Sequence, residues 1–390
     1  MNIDAIQNKL KEKKLDGWLM ADFHARNEIA MKMLDLTGLV TRRSFYFIPA
    51  EGKPIGLINA IERDKFENVQ GDIITYSGYL KLEEHLKEIL NDKFLIAMEY
   101  TEKGRLPYLG MVDAGTIELV RSTGSEIVSS ADLVASFQAR LTPEQIKLHH
   151  QAAKNILEIK DKAFGFIKER LSINEPVTEY EVSQFILKKI DEYNMVTEHS
   201  PICGVNSNAG NPHYEPTKSH TATIEKGQLV LIDLWGKIDD ENGIFSDITW
   251  VCFTGTKEQI PDKCNKIFAI AAQARDKAVA TVKEKFNSGL ILGCDIDDAC
   301  RKVIADSGYG EYFIHRTGHS ITTDVHGVGP NVDNLETEDK RVLQEGHLFS
   351  IEPGIYLDDF GVRTEIDVLI TPDGPEITTL PLQTEIIPLF

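Results

Sequence analysis

Four acids stand where acids are expensive. Asp233 lies in LeuValLeuIleAsp and Asp247 in IlePheSerAspIleThr, while Glu352 and Glu365 lie in SerIleGluProGlyIleTyr and GlyValArgThrGluIleAspVal. All four runs are apolar and strand-like, and an unpaired charge buried in such a pattern is costly. The turn-prone residues 237–243 join the first two runs into a hairpin, and a turn centred on Asp240 sets Asp233 directly opposite Asp247. The other two runs flank Asp358 and Asp359, and a turn centred between these sets Glu352 opposite Glu365. A bulge at Pro353, which cannot donate to a ladder, would shift that register by one residue. Like charges facing each other at about 5 Å are destabilising. They need cations. The acids of the turns themselves, Asp239, Asp240, Glu241, Asp358 and Asp359, are assigned to solvent.

Histidine supplies a second donor type. His315, His319 and His326 share the segment HisArgThrGlyHisSerIleThrThrAspValHis, and His213 sits in a loop rich in Asn, Gly and Pro. His24, His85, His149 and His150 are read as structural. Four carboxylates with one neutral imidazole form an oxygen-rich set that suits Mn²⁺ and also Co²⁺, Fe²⁺ or Zn²⁺, and that excludes a thiolate zinc site. Two divalent ions balance four negative charges. Placed about 3.5 to 4 Å apart they bridge a water and lower its pKa, so the chemistry expected is hydrolysis.

The elements that position these residues fall into two groups. Residues 1–140 alternate short apolar runs (17–20, 44–48, 55–58, 94–98) with helical patterns such as 82–90, the rhythm of a small α/β domain, with a hairpin turn at GluGlyLysPro 51–54. Residues 141–390 mix helices and hairpins. Thr142, Pro143 and Gln145 open a long helix, Thr178 and Glu181 open another, and further helices are expected around 265–283 and 296–306, the last stopped by Gly308. The fold class is thus α/β in the α+β sense.

Composition excludes several roles. With 42 Lys+Arg against 61 Asp+Glu, the net charge of −19 repels phosphate backbones and anionic headgroups, so neither nucleic acid nor a membrane is expected as a partner. The N-terminus has no apolar signal core, and five cysteines without a CxxC pair form no disulfide framework, so a reduced, cytoplasmic protein is expected.

The motifs IleAspLeu with SerAspIleThr, HisArgThrGlyHis followed by AspValHis, SerIleGluProGlyIleTyr and GlyValArgThrGlu together resemble those of the pita-bread metallopeptidases, in particular the Xaa-Pro branch of prolidase and aminopeptidase P. The resemblance is strong over 140–390, and the preceding domain is similar in size and pattern to a creatinase-type N-terminal domain. It implies two divalent ions, with Mn²⁺ foremost. Asp247 and Glu365 would bridge both ions, Asp233 would complete one site, and His319 with Glu352 would complete the other. It further implies Glu352 as the proton acceptor for the attacking water, His213 and His326 as holders of the substrate and the tetrahedral intermediate, and His315, Tyr356 and Arg363 as pocket residues. Strand parity independently sets Arg363 on the face of Glu365. The implied substrate is a small peptide with proline second, and the implied assembly a homodimer. A methionine aminopeptidase shares the ligand set but not the additional N-terminal domain. A creatinase-like C–N hydrolase working without metal would have lost the ligands, and a non-catalytic pita-bread binding module usually lacks several. Two departures bear on substrate preference: Leu234 and Trp235 precede Gly236 where a glycine often follows the first Asp by two, and Trp250 replaces an arginine.

Overall fold

Short apolar runs become strands in Met1–Gln138, the first of two units into which the chain divides; the computed structural model describes all residues, 1–390. The strands are β1 (Gly17–Asp22), β2 (Ser44–Pro49), β3 (Ile55–Asn59), β4 (Asp72–Tyr76), β5 (Leu95–Met98) and β6 (Glu126–Ser129). They form one sheet in the order β4-β3-β2-β1-β5-β6, antiparallel where β2 meets β1 and β3 and parallel elsewhere. Helices α1 (Ile3–Glu12), α2 (Glu28–Met33), α3 (Tyr79–Ile89), α4 (Ala114–Arg121) and α5 (Ala131–Gln138) accompany it. Leu19, Phe47 and Leu57 of the sheet pack with Leu82 and Leu86 of α3 and Ile117 of α4.

The second unit, Ala139–Phe390, begins with α6 (Pro143–Ser172). Its start is the expected capping box: Gln145 N donates to Thr142 Oγ1 (3.3 Å) and Thr142 N to Gln145 Oε1 (2.9 Å). There follow β7 (Val177–Thr178), α7 (Glu179–Glu192), β8 (Met195–Val196), β9 (Ile202–Val205), β10 (Thr223–Ile224), β11 (Leu229–Ile238), β12 (Ser246–Phe253), α8 (Asp262–Ser288) and α9 (Gly293–Asp306). After a 3₁₀ turn at Gly310–Tyr312 the remaining elements are strands: β13 (Ser320–Ile321), β14 (Leu348–Ile351), β15 (Gly354–Tyr356), β16 (Gly361–Arg363), β17 (Ile366–Thr371), β18 (Gly374–Ile377) and β19 (Ile387–Pro388).

Strand parity sorts the central hairpin into two faces. Val230, Ile232, Leu234, Ile248, Trp250 and Cys252 pack on one side with Ile156 and Ile159 of α6 and Ile186 of α7. Leu229, Leu231, Val251 and Phe253 pack on the other with Ile267 and Ala271 of α8 and Ile296 of α9. Asp233, Trp235, Asp247 and Thr249 share the parity of the second set. The sheet is therefore covered by a helix pair on each side, with the acids confined to the α8–α9 side.

Two registers can be compared with expectation. In the first hairpin Asp233 pairs with Thr249 and Trp235 with Asp247, so the turn centres on Glu241 rather than Asp240. Asp233 and Asp247 are diagonal neighbours on one face, not directly opposed. The shift has a local cause: Asp240 is the first residue of the turn, accepting from Asn242 N through its side chain (2.8 Å) and from Gly243 N through its carbonyl (2.9 Å). In the second hairpin the pairs Ile351–Ile366 and Gly354–Arg363 keep the expected register, with no bulge at Pro353. The ladder nonetheless opens between them. Glu352 N donates to Thr317 O (2.7 Å) and Glu365 N to Thr249 O (3.2 Å), so each expected strand is split in two at its glutamate.

Candidate active site

The opening of that ladder and the parity of the first hairpin bring the acids together. His319 joins them because Gly318 permits close approach to β14: a Cβ at Gly318 would lie 1.9 Å from Ser350 O. His319 N then donates to Ser350 Oγ (2.9 Å), and Ser350 Oγ donates to Glu352 Oε1 (3.0 Å). Donor atoms of Asp247, His319 and Glu365 all lie within 4.8 Å of one another. His319 Nε2 is 3.7 Å from Asp247 Oδ2 and 3.4 Å from Glu352 Oε1. Its Nδ1 lies 3.3 Å from Ser320 O, which favours the proton on Nδ1 and leaves the Nε2 lone pair facing the acids.

Asp233 enters through Arg363, whose guanidinium it pairs with. Arg363 also donates to Thr249 Oγ1 (2.9 Å) and Tyr356 OH (2.8 Å), and Thr249 in turn donates to Glu365 Oε2 (2.7 Å). Tyr356 OH is 2.7 Å from His315 Nε2, and His315 Nδ1 is 2.7 Å from Arg316 O. His315, Tyr356, Arg363 and Asp233 thus form one hydrogen-bonded chain. Burial and the Arg363 charge lower the His315 pKa to about 3, so its ring is neutral. The His326 ring stands edge-on to His319 with centroids 4.5 Å apart. His213 is exposed, and the residue before it offers its carbonyl to Arg363, with Pro212 O 3.5 Å from the guanidinium. Of the histidines read as structural, His149 is buried between Phe245 O (2.8 Å) and Thr378 Oγ1 (2.7 Å).

The electrostatics are those of a cage short of positive charge. Burial first, then the neighbouring acids, push the carboxyl groups of Asp247 and Glu365 well above the ordinary range, and burial raises Glu352 to about 7 against the opposing pull of Arg363. Asp233 Oδ1 and Asp247 Oδ1 are buried without any hydrogen-bond partner. Buried acceptors rarely stay unsatisfied. The donor set, hard oxygens with one imidazole nitrogen, fits divalent cations, and such ions would satisfy both orphaned oxygens.

Three residues of the site were not anticipated: Thr249, Ser350 and Asp367. Asp367 Oδ2 accepts from Ser246 Oγ (2.8 Å) and Asp247 N (3.0 Å), and burial raises its pKa to about 8. Each lies two positions from a candidate ligand, Thr249 after Asp247, Ser350 before Glu352 and Asp367 after Glu365, so parity was the available signal. The two tryptophans separate. Trp235 shares the face of Asp233, and its Nε1 is buried without a partner. Trp250 points to the opposite side, where Lys160 Nζ lies 3.8 Å from its ring centre, so it does not bear on the pocket.

The model of metallopeptidase family M24 matches residues 148–372, more than half of the chain. The chain belongs to this family. Every candidate site residue, from His213 to Glu365, falls inside the M24 match. The putative dipeptidase YkvY of Bacillus subtilis (strain 168) is 30% identical over 376 residues, spanning 93% of this chain and 95% of the relative. The Xaa-Pro dipeptidase of Lactobacillus delbrueckii subsp. lactis is 30% identical over 387 residues, spanning 96% and 95%. Among solved structures, dipeptidase PepE from Mycobacterium ulcerans superposes with a TM-score of 0.77 at 20% identity, covering 99% of this chain and 96% of that one. At that identity the likeness is one of fold, the mixed α/β pita-bread architecture of M24 enzymes.

Proposed function

We propose that this M24 peptidase hydrolyses the Xaa-Pro bond of dipeptides or short peptides, using two divalent ions, Mn²⁺ foremost. What carries the reading is the cage itself: carboxylates gathered on one face with buried oxygens that no protein donor meets. The names of the two relatives, one a putative dipeptidase and one an Xaa-Pro dipeptidase, support the substrate class and favour the dipeptide. Asp247 and Glu365 would bridge the ions, with Asp233 completing one site and His319 with Glu352 the other. Bound there, the ions would lower the pKa of a water and polarise the scissile carbonyl.

This chain's residues do the rest. Glu352 takes the proton of the attacking water, a task suited to a carboxyl near its target. His213 and His326 hold the substrate and stabilise the tetrahedral intermediate, and one of the two, His326 or His213, protonates the proline nitrogen as it leaves. Arg363, fixed by Tyr356 and Thr249, keeps Asp233 oriented, and His315 keeps Tyr356 in place. The first 140 residues are read as the creatinase-like domain and 141–390 as the catalytic domain of a cytoplasmic homodimer. In support of that compartment, all five cysteines are free and buried, as suits a reducing environment, and no helix is long and apolar enough to cross a membrane.

The test strips the metal, restores Mn²⁺, Co²⁺ or Zn²⁺ separately, and compares an Xaa-Pro dipeptide, an Xaa-Pro tripeptide and a Met-Ala peptide. Turnover of the dipeptide alone identifies a prolidase, and turnover of the tripeptide an aminopeptidase P. Turnover of Met-Ala alone, or of none, contradicts the reading.

A further inference from the structure

Residues 206–222, which carry His213, contain one short 3₁₀ turn at Asn206–Gly210 and an isolated bridge between Thr217 and His220. Loops of this length that lack a ladder are held by their own side chains. Here the holding group is a carboxylate outside the loop. Glu179, the first residue of α7, is fully buried. Its Oε1 accepts from Val205 N (2.7 Å) and Asn208 Nδ2 (2.9 Å), and its Oε2 from Tyr214 OH (2.6 Å) and Ala222 N (2.7 Å). Glu179 N returns a bond to Ala222 O (3.1 Å). Both ends of the loop and two points within it therefore converge on one side chain.

The partners are all neutral donors, and the start of a helix is a favourable place for the charge. On its other side the same loop rests on β16: a Cβ at Gly361 would lie 1.8 Å from Ala209 O, and Arg363 approaches Pro212 O at 3.5 Å. The loop is thus fixed between Glu179 and the strand whose arginine pairs with Asp233. Tyr214, one of the clamped residues, is the immediate neighbour of His213.

We propose that Glu179 is a positioning residue for the reaction: by gathering Val205, Asn208, Tyr214 and Ala222 it sets the loop so that His213 reaches the substrate. The inference rests on the reading of His213 given above. Glutamine cannot replace the carboxylate, because one of its two heads is itself a donor and would face donors.

The experiment compares Glu179→Gln, Tyr214→Phe, His213→Ala and the double variant Glu179→Gln/His213→Ala in the metal-loaded full chain. Two readouts are taken: turnover of an Xaa-Pro dipeptide, and backbone hydrogen exchange by mass spectrometry. Glu179→Gln is expected to speed exchange in 206–222 while 229–253 and the metal content stay as in the unaltered protein, and to lower kcat by about 100-fold, the scale of a displaced positioning group. Tyr214→Phe, which loses a single bond and keeps the ring, should show smaller changes in the same direction. The double variant should be no slower than His213→Ala, because the clamp acts through that histidine. Unchanged exchange in 206–222, or losses that multiply in the double variant, would overturn the proposal. Exchange needs no substrate, so an enzyme inactive on every Xaa-Pro peptide would sink the functional reading and still leave exchange to uphold or overturn the clamp.

Discussion

Glu99 in the first unit and Asp247 in the second are both buried acids, and they differ in what meets their oxygens. Glu99 accepts from Asn27 Nδ2 (2.8 Å), Ser130 Oγ (3.1 Å) and Trp18 Nε1 (2.5 Å). Burial raises its pKa, and every one of these neighbours lowers it again. For Asp247 burial raises the pKa and the four nearby acids, Glu365, Asp233, Asp367 and Glu352, raise it further, while Oδ1 has no partner at all. A structural acid is completed by its own fold. An acid whose fold withholds donors and adds like charges is built for something that arrives from outside.

The largest effect expected from breaking this contrast is at the cage. Asp247→Ala or Glu365→Ala should abolish peptidase activity and reduce bound metal, measured by atomic emission, below two ions per chain; full activity in either variant would refute the bridging roles. Thr249→Val, which removes the hydroxyl between Arg363 and Glu365 but no ligand, should cost about 10- to 100-fold in kcat/KM or metal affinity. Steady-state kinetics at saturating metal separate these two.

The cage should also reveal itself through pH. Glu352 at about 7 and Asp367 at about 8 lie above the ordinary carboxylate values of about 4. The folded, metal-free state thus binds protons more tightly than the unfolded chain. Their stabilising contribution is complete below about pH 4 and is lost as pH rises to about 8. The histidines His149, His315 and His326, held down at about 4, 3 and 4, act the other way up to their unfolded value of about 6.5. In chelator the melting temperature should therefore fall between about pH 7 and 8, and saturating Mn²⁺ should flatten the fall. A melting temperature in chelator that rises from about pH 7 to about 8 would contradict the crowding of acids.

On the other side of the comparison, Glu99→Ala strands three donors and should destabilise the chain by about 1 to 3 kcal/mol, read by urea denaturation. Metal content should stay unchanged. The smallest effect belongs to Lys160→Met, which removes the cation over Trp250 on the sheet's far face. It should cost about 1 kcal/mol or less and leave kcat intact.

How much of this was legible in the sequence depended on where each group's partners lie. The second hairpin could be registered because Asp358 and Asp359 do form the centre of its turn, between the paired Tyr356 and Gly361. The first was displaced because Asp240, chosen as the centre, instead begins the turn through its own side chain. The split at Glu352 and Glu365 could not be foreseen, since it is Thr317 and Thr249, on other segments, that draw their amides out of the ladder. Parity was enough to reach Thr249, Ser350 and Asp367 from the ligands beside them, and enough to turn Trp250 away. Glu179 was hidden for the opposite reason. An acid in the first turn of a helix reads as a capping charge, and its partners stand 26 to 43 residues further along the chain.

The most direct test is a crystal grown with Mn²⁺ and measured at the manganese absorption edge. The account predicts two anomalous peaks enclosed by Asp233, Asp247, His319, Glu352 and Glu365, with the formerly unpartnered Oδ1 atoms of the two aspartates turned toward them. Peaks only at solvent-facing acids such as those of the 239–241 turn, or none between these five side chains, would contradict it.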